Sequence, residues 1–476
     1  MLKWANPNAH LKPMSMNRPW LDSYASDVPH DIDISEFPSI VSVLEKAISK
    51  FADRPAFSNF GKTISYREVD ELSAQFASYL IHELKLKKGE RVAIMLPNVL
   101  QYPIAIFGVL RAGLTVVNTN PMYTARELKH QLNDSGAVAL LVLDNFACTA
   151  EEVLHETKVR QVITTSVGEM LGPKGLVVDF VLKHVKQAVP DYDLPEAIRF
   201  RKALAKGAKH ALPHVSIQPN EIAFLQYTGG TTGVSKGAML SHSNLVANMQ
   251  QSSSWIGKNA KEGSEVIITA LPLYHIFALM VNFLSYFKIG ATNVLIPNPR
   301  DMEAFVKEWS KWRVTAFTGV NTLFVGLMHT PGFASQDFSK LRVCMGGGAP
   351  VQNAVSARWK SITGQHITEG YGLSETSPIL TANPLSLTEA AATGAPCQPG
   401  LDLPEGDRVV GCMDVVVASA ADVFAAADMI IKVKEPQPVE CEMLRDGQIL
   451  YTYLHLAPDP QQTKLLVESG ATCVAY

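Results

Sequence analysis

The run Glu221-Ile-Ala-Phe-Leu-Gln-Tyr-Thr-Gly-Gly-Thr-Thr-Gly-Val-Ser-Lys-Gly-Ala238 leaves an apolar strand at Tyr227. It then enters Thr228, Gly229, Gly230, Thr231, Thr232 and Gly233, and goes on through Val234 and Ser235 to Lys236, Gly237 and Ala238. Glycines let a backbone approach a phosphate and turn its N–H groups inward. Threonine hydroxyls add donors, and a lysine adds positive charge. The bland alternative is a glycine-rich surface turn, and six consecutive phosphate-suitable residues followed by a lysine argue against it. A strand feeding such a loop, with a helical run Asn244-Leu-Val-Ala-Asn-Met249 soon after, points to an α/β fold with a nucleotide at a strand end.

Two better-known patterns do not fit. The P-loop signature needs a Gly-Lys pair, whereas Val234 and Ser235 separate Gly233 from Lys236. Gly233-Val-Ser-Lys-Gly237 does spell the nucleophile elbow of hydrolases, but that elbow needs a strand running directly into its first glycine. Here the strand finishes several residues earlier. Ser235 then reads as a serine in a flexible loop.

Outward from this loop, strands and helices alternate. Arg91–Leu96, Thr115–Asn118 and Ala139–Leu143 read as buried strands, and Ala125–Leu132 as a helix, so a mostly parallel sheet is expected. Met302, Phe305, Trp309 and Trp312 recur at helical spacing and read as one apolar face. The basic, proline-punctuated stretch 182–214 reads as a surface linker or a peripheral helix pair. Two further strand-to-loop junctions appear downstream, Leu341-Arg-Val-Cys-Met-Gly-Gly-Gly-Ala-Pro350 and His366-Ile-Thr-Glu-Gly-Tyr-Gly-Leu-Ser-Glu-Thr376. In parallel sheets ligands gather at the carboxyl ends of strands. The ring of Tyr371, the hydroxyl of Ser374 and the carboxylate of Glu375 there suit a base, a phosphate oxygen and Mg²⁺.

The chain has 476 residues, more than one core holds at roughly 100–200 residues per domain. Lys plus Arg number 42 against 45 Asp plus Glu, a net charge of −3, so no nucleic-acid partner is expected. Val92–Leu110 and Val266–Phe287 carry no Asp, Glu, Lys or Arg, but proline and Asn, Gln or His interrupt both, so they read as buried strands and helices. Six cysteines without a C-x-x-C pair, and an N-terminus without an apolar signal region, fit a reduced, cytoplasmic protein. All six tryptophans lie at or before Trp359, while four of the six cysteines follow residue 396. With Pro396, Pro399, Gly400, Pro404 and Gly406 in the same region, a boundary is expected near 385–409. Beyond it a helix is expected over 420–427 and strands over Met429–Val433 and Gln448–Leu456. A helix opened by Asp459 and Pro460 and closed by Gly470 follows, and then a strand over Ala471–Tyr476.

Tyr-Thr-Gly-Gly-Thr-Thr-Gly-x-x-Lys-Gly together with Gly-Tyr-Gly-Leu-Ser-Glu-Thr resembles the AMP-forming acyl-CoA synthetases of the adenylate-forming superfamily. Leu271-Pro-Leu-Tyr-His-Ile-Phe277, Thr318-Gly-Val-Asn-Thr-Leu-Phe324 and Gly346-Gly-Gly-Ala-Pro-Val351 are similar to its bacterial long-chain fatty acid–CoA ligases. The resemblance spans residues 15–390. It implies a large domain of layered αβ sheets plus a small β unit, using ATP, Mg²⁺ and coenzyme A to convert a fatty acid to acyl-AMP and then acyl-CoA. By the same resemblance Lys236, Glu375 and His275 are catalytic, and Thr228 and Glu375 hold the metal. Residues 227–238 would wrap the phosphates, with Gly348, Ala349, Pro350, Gly370, Tyr371 and Gly372 around the adenine and Ser374 on the α-phosphate. His275 would sit near the acyl entrance; by residues alone it reads equally well as an ordinary core or surface histidine. Ile276–Leu284 would line an acyl tunnel by resemblance and reads as core by composition. The resemblance also allows peripheral contact with the inner membrane and a homodimer.

From about Val416 the chain resembles something else, the N-terminal part of bacterial alanine dehydrogenase. Ala425-Ala-Ala-Asp-Met-Ile-Ile-Lys-Val-Lys-Glu-Pro436 and Gly447-Gln-Ile-Leu-Tyr-Thr-Tyr-Leu-His-Leu456 carry that likeness, which maps pyruvate contacts to Lys434 and His455. The expected division is a large AMP-binding domain over 1–390, a linker over 391–415 and a partial αβ lobe over 416–476. The synthetases' Thr-Gly-Asp, hinge and C-terminal lysine domain have no counterpart among these residues. Impaired acyl-CoA formation is therefore expected, with ATP binding without turnover as the alternative. Alanine dehydrogenase activity is a third reading, and no G-x-G-x-x-G supports it.

Overall fold

The computed structural model describes residues 28–228 and 234–383, and, toward the C-terminus, 424–425, 427–431, 436, 438–452 and 460–475. The chain divides into two compact units, one of them formed by Asp31–Ala395. In that unit fifteen strands follow one another. They are β1 (Pro55–Asn59), β2 (Lys62–Ser65), β3 (Arg91–Met95), β4 (Thr115–Asn118), β5 (Ala137–Leu143), β6 (Gln161–Thr165), β7 (Ile198–Arg199), β8 (Ile222–Thr228), β9 (Lys236–Ser241), β10 (Val266–Thr269), β11 (Thr292–Leu295), β12 (Ala316–Gly319), β13 (Val343–Gly346), β14 (Thr368–Gly372) and β15 (Ile379–Ala382).

They build two sheets. The seven-stranded sheet runs β7-β6-β5-β3-β4-β8-β9, and the eight-stranded sheet runs β15-β14-β13-β12-β10-β11-β1-β2. Both are parallel except at edges: β9 on β8, β2 on β1 and β15 on β14 are antiparallel. Central strands such as β4, β11, β12 and β13 are buried at every position. Strands covered on both faces lack a solvent side, so even Thr115 and Asn118 of β4 and Thr292 and Asn293 of β11 are buried.

Local chemistry sets the helix ends. In the helix Ala125–Ser135, Thr124 caps the N-terminus in a box with Glu127, and Gly136 closes it at φ +64°. The tryptophan stripe lies on Met302–Trp309, capped by Asp301, with Phe305 and Trp309 buried as its spacing implies. Val266–Phe287 resolves into β10 and a π-helical turn Ala278–Ser285 in which every residue is buried. Phe283 there meets the rings of Phe57 and Phe107 edge-on at 5.3 and 5.0 Å. The run Ile276–Leu284 is packed core.

Of the two expectations for 182–214, a surface linker or a peripheral helix pair, the structure departs from the linker. Its Ile198–Arg199 is the edge strand β7, and the helix Phe200–Gly207 buries Phe200, Ala203 and Leu204. A Cβ at Gly207 would come within 1.8 Å of the Gln75 carbonyl, so this helix packs tightly on the helix Tyr66–Ser78. Arg199 donates to both oxygens of Asp144 at 2.7 and 2.9 Å and reaches Glu169 at 3.3 Å. The basic composition concealed this: one Arg serves a partly buried ion-pair cluster, and Ala203 and Leu204, between Lys202 and Lys206, face inward.

The described residues of the C-terminal part form a small parallel sheet in the order β16 (Met429–Ile431), β17 (Ile449–Thr452), β18 (Thr472–Ala475). A helix Pro460–Glu468 precedes β18, and Gly470 follows it at φ +69°. Phe424, Ile430, Leu444, Leu450 and Leu466 make a separate small core. The expected strand starts and the helix are found, while Val433, Asp459 and Tyr476 lie outside the described residues.

Candidate functional site

The glycine-rich run is a β-hairpin. β8 lies next to the edge of its sheet, and β9 returns antiparallel as the edge strand, with Thr228 opposite Lys236 and Tyr227 opposite Gly237. Lys236 therefore opens a strand, which the loop reading missed. Lys236–Ser241 reads Lys-Gly-Ala-Met-Leu-Ser, without the alternation that would have signalled it. A strand, not a helix, follows Ser235, which removes the nucleophile-elbow reading on geometry. Gly229, Gly230, Thr231, Thr232 and Gly233 lie outside the described residues.

Side chains beneath the hairpin hold it. Tyr227 lays its ring across Gly237, where a Cβ would come within 2.9 Å of the ring. Its hydroxyl donates to Asp134 at 2.6 Å; burial first, and that bond second, push the phenol pKa well above its ordinary value. Tyr227 is thus a structural anchor and not a proton donor to a ligand. His130 Nε2 meets the Ser235 carbonyl at 2.9 Å, tying the helix Ala125–Ser135 to the start of β9. Val234 and Lys236 are exposed, Ser235, Gly237 and Ala238 half-buried, and Lys236 has no ion pair among the described residues.

The downstream junctions converge on one edge. Register pairs Gly319 with Gly346 and Gly346 with Glu369, so β12 and β13 end level with Glu369 while β14 runs on to Gly372. Gly347 approaches both the Gly370 carbonyl and the Phe277 ring, each 3.2 Å from where a Cβ would stand. Gly348 turns the chain at φ +75°, and Gly348, Ala349 and Pro350 are exposed. Glu369 accepts from the Val351 amide at 2.6 Å and fixes the exit of this turn. Gly372 admits no side chain, because a Cβ would meet the Pro378 carbonyl at 1.9 Å. The tight turn that follows, Ser374–Thr376, lies against both β8 and β9. This brings Ser374 and the exposed Glu375 to the hairpin that carries Thr228 and Lys236. Tyr371 lies in β14, and its buried hydroxyl has no hydrogen-bond partner among the described residues.

His275 belongs to the same neighbourhood. Gln226 of β8 donates to the Tyr274 carbonyl at 2.7 Å, and its own side-chain oxygen accepts from Asn118 at 3.0 Å. The β4–β8 register sets Asn118 opposite Gln226. The turn carrying His275 is pinned by Asn98, which donates to the carbonyls of Thr269 and Leu271 at 3.0 and 2.9 Å and accepts from Leu273 N–H at 2.8 Å. His275 Nδ1 accepts from the Phe277 amide at 3.3 Å, leaving Nε2 for the other side of the ring. The ring is exposed, yet surrounding protein desolvates it enough to lower its pKa. Sequence reasoning missed Asn98, Asn118 and Gln226; polar residues in or beside apolar strands were their only signal.

Comparison with known proteins gives this geometry its family. The family model for the AMP-binding enzyme matches residues 44–407, most of the chain. The chain belongs to the AMP-binding enzyme family. It is 50% identical over 373 residues to a long-chain fatty acid–CoA ligase of Escherichia coli O6:H1, covering 78% of this chain and 66% of that protein. A long-chain fatty acid–CoA ligase of Haemophilus influenzae is 43% identical over 440 residues, covering 91% and 77%. The chain thus spans just under two thirds of the Escherichia coli relative's length. Among solved structures of AMP-binding folds, an anthranilate CoA ligase bound to anthranoyl-AMP aligns with a TM-score of 0.64 at 20% identity, covering 74% of this chain and 64% of that one. A long-chain fatty acid–CoA ligase of Archaeoglobus fulgidus aligns at 0.61 and 24%, covering 76% and 68%. Both likenesses concern the fold. Residues 411–476 match a second model, the N-terminal domain of alanine dehydrogenase/PNT, in keeping with the resemblance of the tail. Lys434 and His455, to which that resemblance assigns pyruvate contacts, lie outside the described residues. No helix among the described residues is long and apolar enough to cross a membrane.

Proposed function

We propose that this chain is an ATP-dependent long-chain fatty acid–CoA ligase, which activates a fatty acid as its acyl-adenylate and passes the acyl group to coenzyme A. The observation that carries the reading is the meeting of the β8–β9 hairpin with the Ser374–Thr376 turn. It brings the segments that carry a cation, Lys236, and two hard oxygen donors, Thr228 and Glu375, next to one another. A carboxylate oxygen attacks the α-phosphorus of ATP and pyrophosphate leaves; the coenzyme A thiol then displaces AMP from the acyl carbon. Negative charge builds on the phosphate oxygens throughout, so fixed donors and a cation stabilise the transition state without a protein nucleophile. Thr228 and Glu375 would hold Mg²⁺, which suits hydroxyl and carboxylate oxygens and neutralises phosphate charge when bound. Lys236 directs its charge at the phosphates, Ser374 donates to the α-phosphate, and residues 227–238 wrap the chain of phosphates. Gly348, Ala349, Pro350, Gly370, Tyr371 and Gly372 frame the adenine, and His275 stands at the acyl entrance. The reading includes a peripheral contact with the inner membrane and a chain divided into 1–390, a linker 391–415 and a lobe 416–476.

Pyrophosphate release from ATP with palmitate tests it. Lys236→Ala and Glu375→Gln should each lower the rate by about 10²–10³ while the melting temperature stays unchanged. Equal rates in all three proteins would overturn the assignment. One observation favours a second reading, ATP binding without turnover: the residues after 410 match a different family. Tight ATP binding with no pyrophosphate release in the unmodified chain would select it.

A further inference from the structure

Four large apolar side chains stand open on one short segment: Leu176 at 78%, Val177 at 65%, Phe180 at 59% and Val185 at 67% exposure. The helix Pro173–Phe180 continues without a break into the π turn Val181–Val185. Its inner side is firmly seated. Gly175 lies so close to Gly168 that a Cβ would come within 1.9 Å of the Gly168 carbonyl. Asp179 accepts from the Ser166 hydroxyl at 2.6 Å and the Gly168 amide at 2.8 Å, while Val178 and Leu182 pack on the core. The open face is therefore that of a fixed helix, on which the Phe180 ring meets only that of His184, 4.9 Å away on the same segment, among the described ring contacts. Lys174, Lys183, His184 and Lys186 are exposed on the same segment. Asp179 is the only acid between 172 and 187, and it is engaged inward. Asp191, fully exposed, lies 4.0 Å from Lys183, a distance at which solvent screens the pair heavily.

Apolar side chains bordered by lysines on a helix of fixed orientation match an anionic bilayer surface, where the apolar tips enter the acyl boundary and the ammonium groups meet lipid phosphates. We propose that the outer face of 173–186 docks this protein peripherally on anionic membranes. A second copy fits the face less well, because a two-fold contact through it would set one lysine group against the other. This deepens the membrane contact proposed above by giving it a surface. It rests on the ligase reading only for its use, since a long-chain fatty acid partitions into a bilayer and not into water.

The test is co-sedimentation of the full chain with vesicles of equal parts phosphatidylglycerol and phosphatidylcholine, against phosphatidylcholine alone, without ATP or fatty acid. The chain should bind the anionic vesicles, and added salt should weaken that binding. Leu176→Ser combined with Phe180→Ser should reduce partitioning by about tenfold or more. So should the combined Lys174→Gln, Lys183→Gln and Lys186→Gln substitution. Both positions sets are exposed, so unchanged melting temperatures guard against misfolding. Absence of binding by the unmodified chain, equal binding by both variants, or equal binding to neutral vesicles would overturn the proposal. So would a dimer in sedimentation analysis that Leu176→Ser with Phe180→Ser dissociates, which would assign the face to a second copy. Pyrophosphate release is scored separately: its loss with vesicle binding intact counts against the ligase reading alone.

Discussion

His242 shows how a single side chain can make a fold acid-sensitive. It opens the helix His242–Ile256 directly after β9, is 3% exposed, and uses Nδ1 to accept from the Ile40 amide at 3.3 Å. Burial pushes its pKa down to about 4; the nearby Glu221 acts in the opposite direction, and Lys88 reinforces the lowering. An unfolded histidine titrates near 6.5. Above that value both states are neutral and the group has no effect on stability. As pH falls below it, the unfolded chain takes a proton that the folded chain refuses, and stability declines until the folded pKa is reached. The expected loss from this one residue is about 3 kcal/mol between pH 6.5 and pH 4. Urea unfolding at pH 7 and pH 4.5 should therefore show a steeper acid loss in the unmodified protein than in His242→Gln. Parallel pH profiles would assign the acid sensitivity elsewhere. At Gly372 the constraint is steric instead: the carbonyl of Pro378 occupies the place of a side chain, so this glycine serves chain packing.

Among the elements, the helix Phe200–Gly207 decides how the 182–214 stretch is to be understood. Phe200 is fully buried, its ring 5.0 Å from that of Phe76, and Ala203 and Leu204 face the same core. If the stretch were a linker, truncating Phe200 would change little. Because it is core, Phe200→Ala should destabilise the large unit by about 3–5 kcal/mol, measured as a fall in the urea midpoint with little change in the transition slope. A loss below about 1 kcal/mol would return the helix to the surface. The neighbouring helix 173–180 shows the opposite arrangement, apolar residues outward on a seated backbone, so its substitutions act on vesicle binding and leave folding alone. Similar composition thus produces two roles, and packing on Gln75 or Gly168 separates them only in part.

At the scale of the large unit, two sheets have to be held in register for the site to exist. Asn98, buried at the end of β3 in the seven-stranded sheet, bonds the carbonyls of Thr269 and Leu271 and the amide of Leu273, at the end of β10 in the eight-stranded sheet. Gln226 and Asn118 continue this polar bridge from β4 through β8 to the Tyr274 carbonyl. A buried side chain with three partners is costly to remove, since each partner stays desolvated and unpaired. Asn98→Ala should destabilise by about 3 kcal/mol and should also slow pyrophosphate release, because the turn bearing His275 loses its anchor. Destabilisation without any change in turnover would show that the turn is held by Gln226 alone.

Taken by itself, the amino-acid sequence determined the chemistry of the loops and the alternation of the elements. Glycine, threonine and lysine at 228–237, and tyrosine, serine and glutamate at 371–375, are short-range statements: the residue types suit phosphate, base and metal wherever the chain places them. Buried parallel strands such as Ala137–Leu143 were legible because unbroken apolar runs have few other homes. What only the tertiary structure decided depends on partners distant in the chain. Lys236 becomes a strand residue because Thr228 pairs with it, and Tyr227 becomes an anchor because Asp134 lies beneath it. The 200–207 helix is core because Gln75 and Phe76 receive it. Hydrogen bonds and burial across such separations are set by topology and register, and no local pattern of residue types encodes which distant group will be the partner.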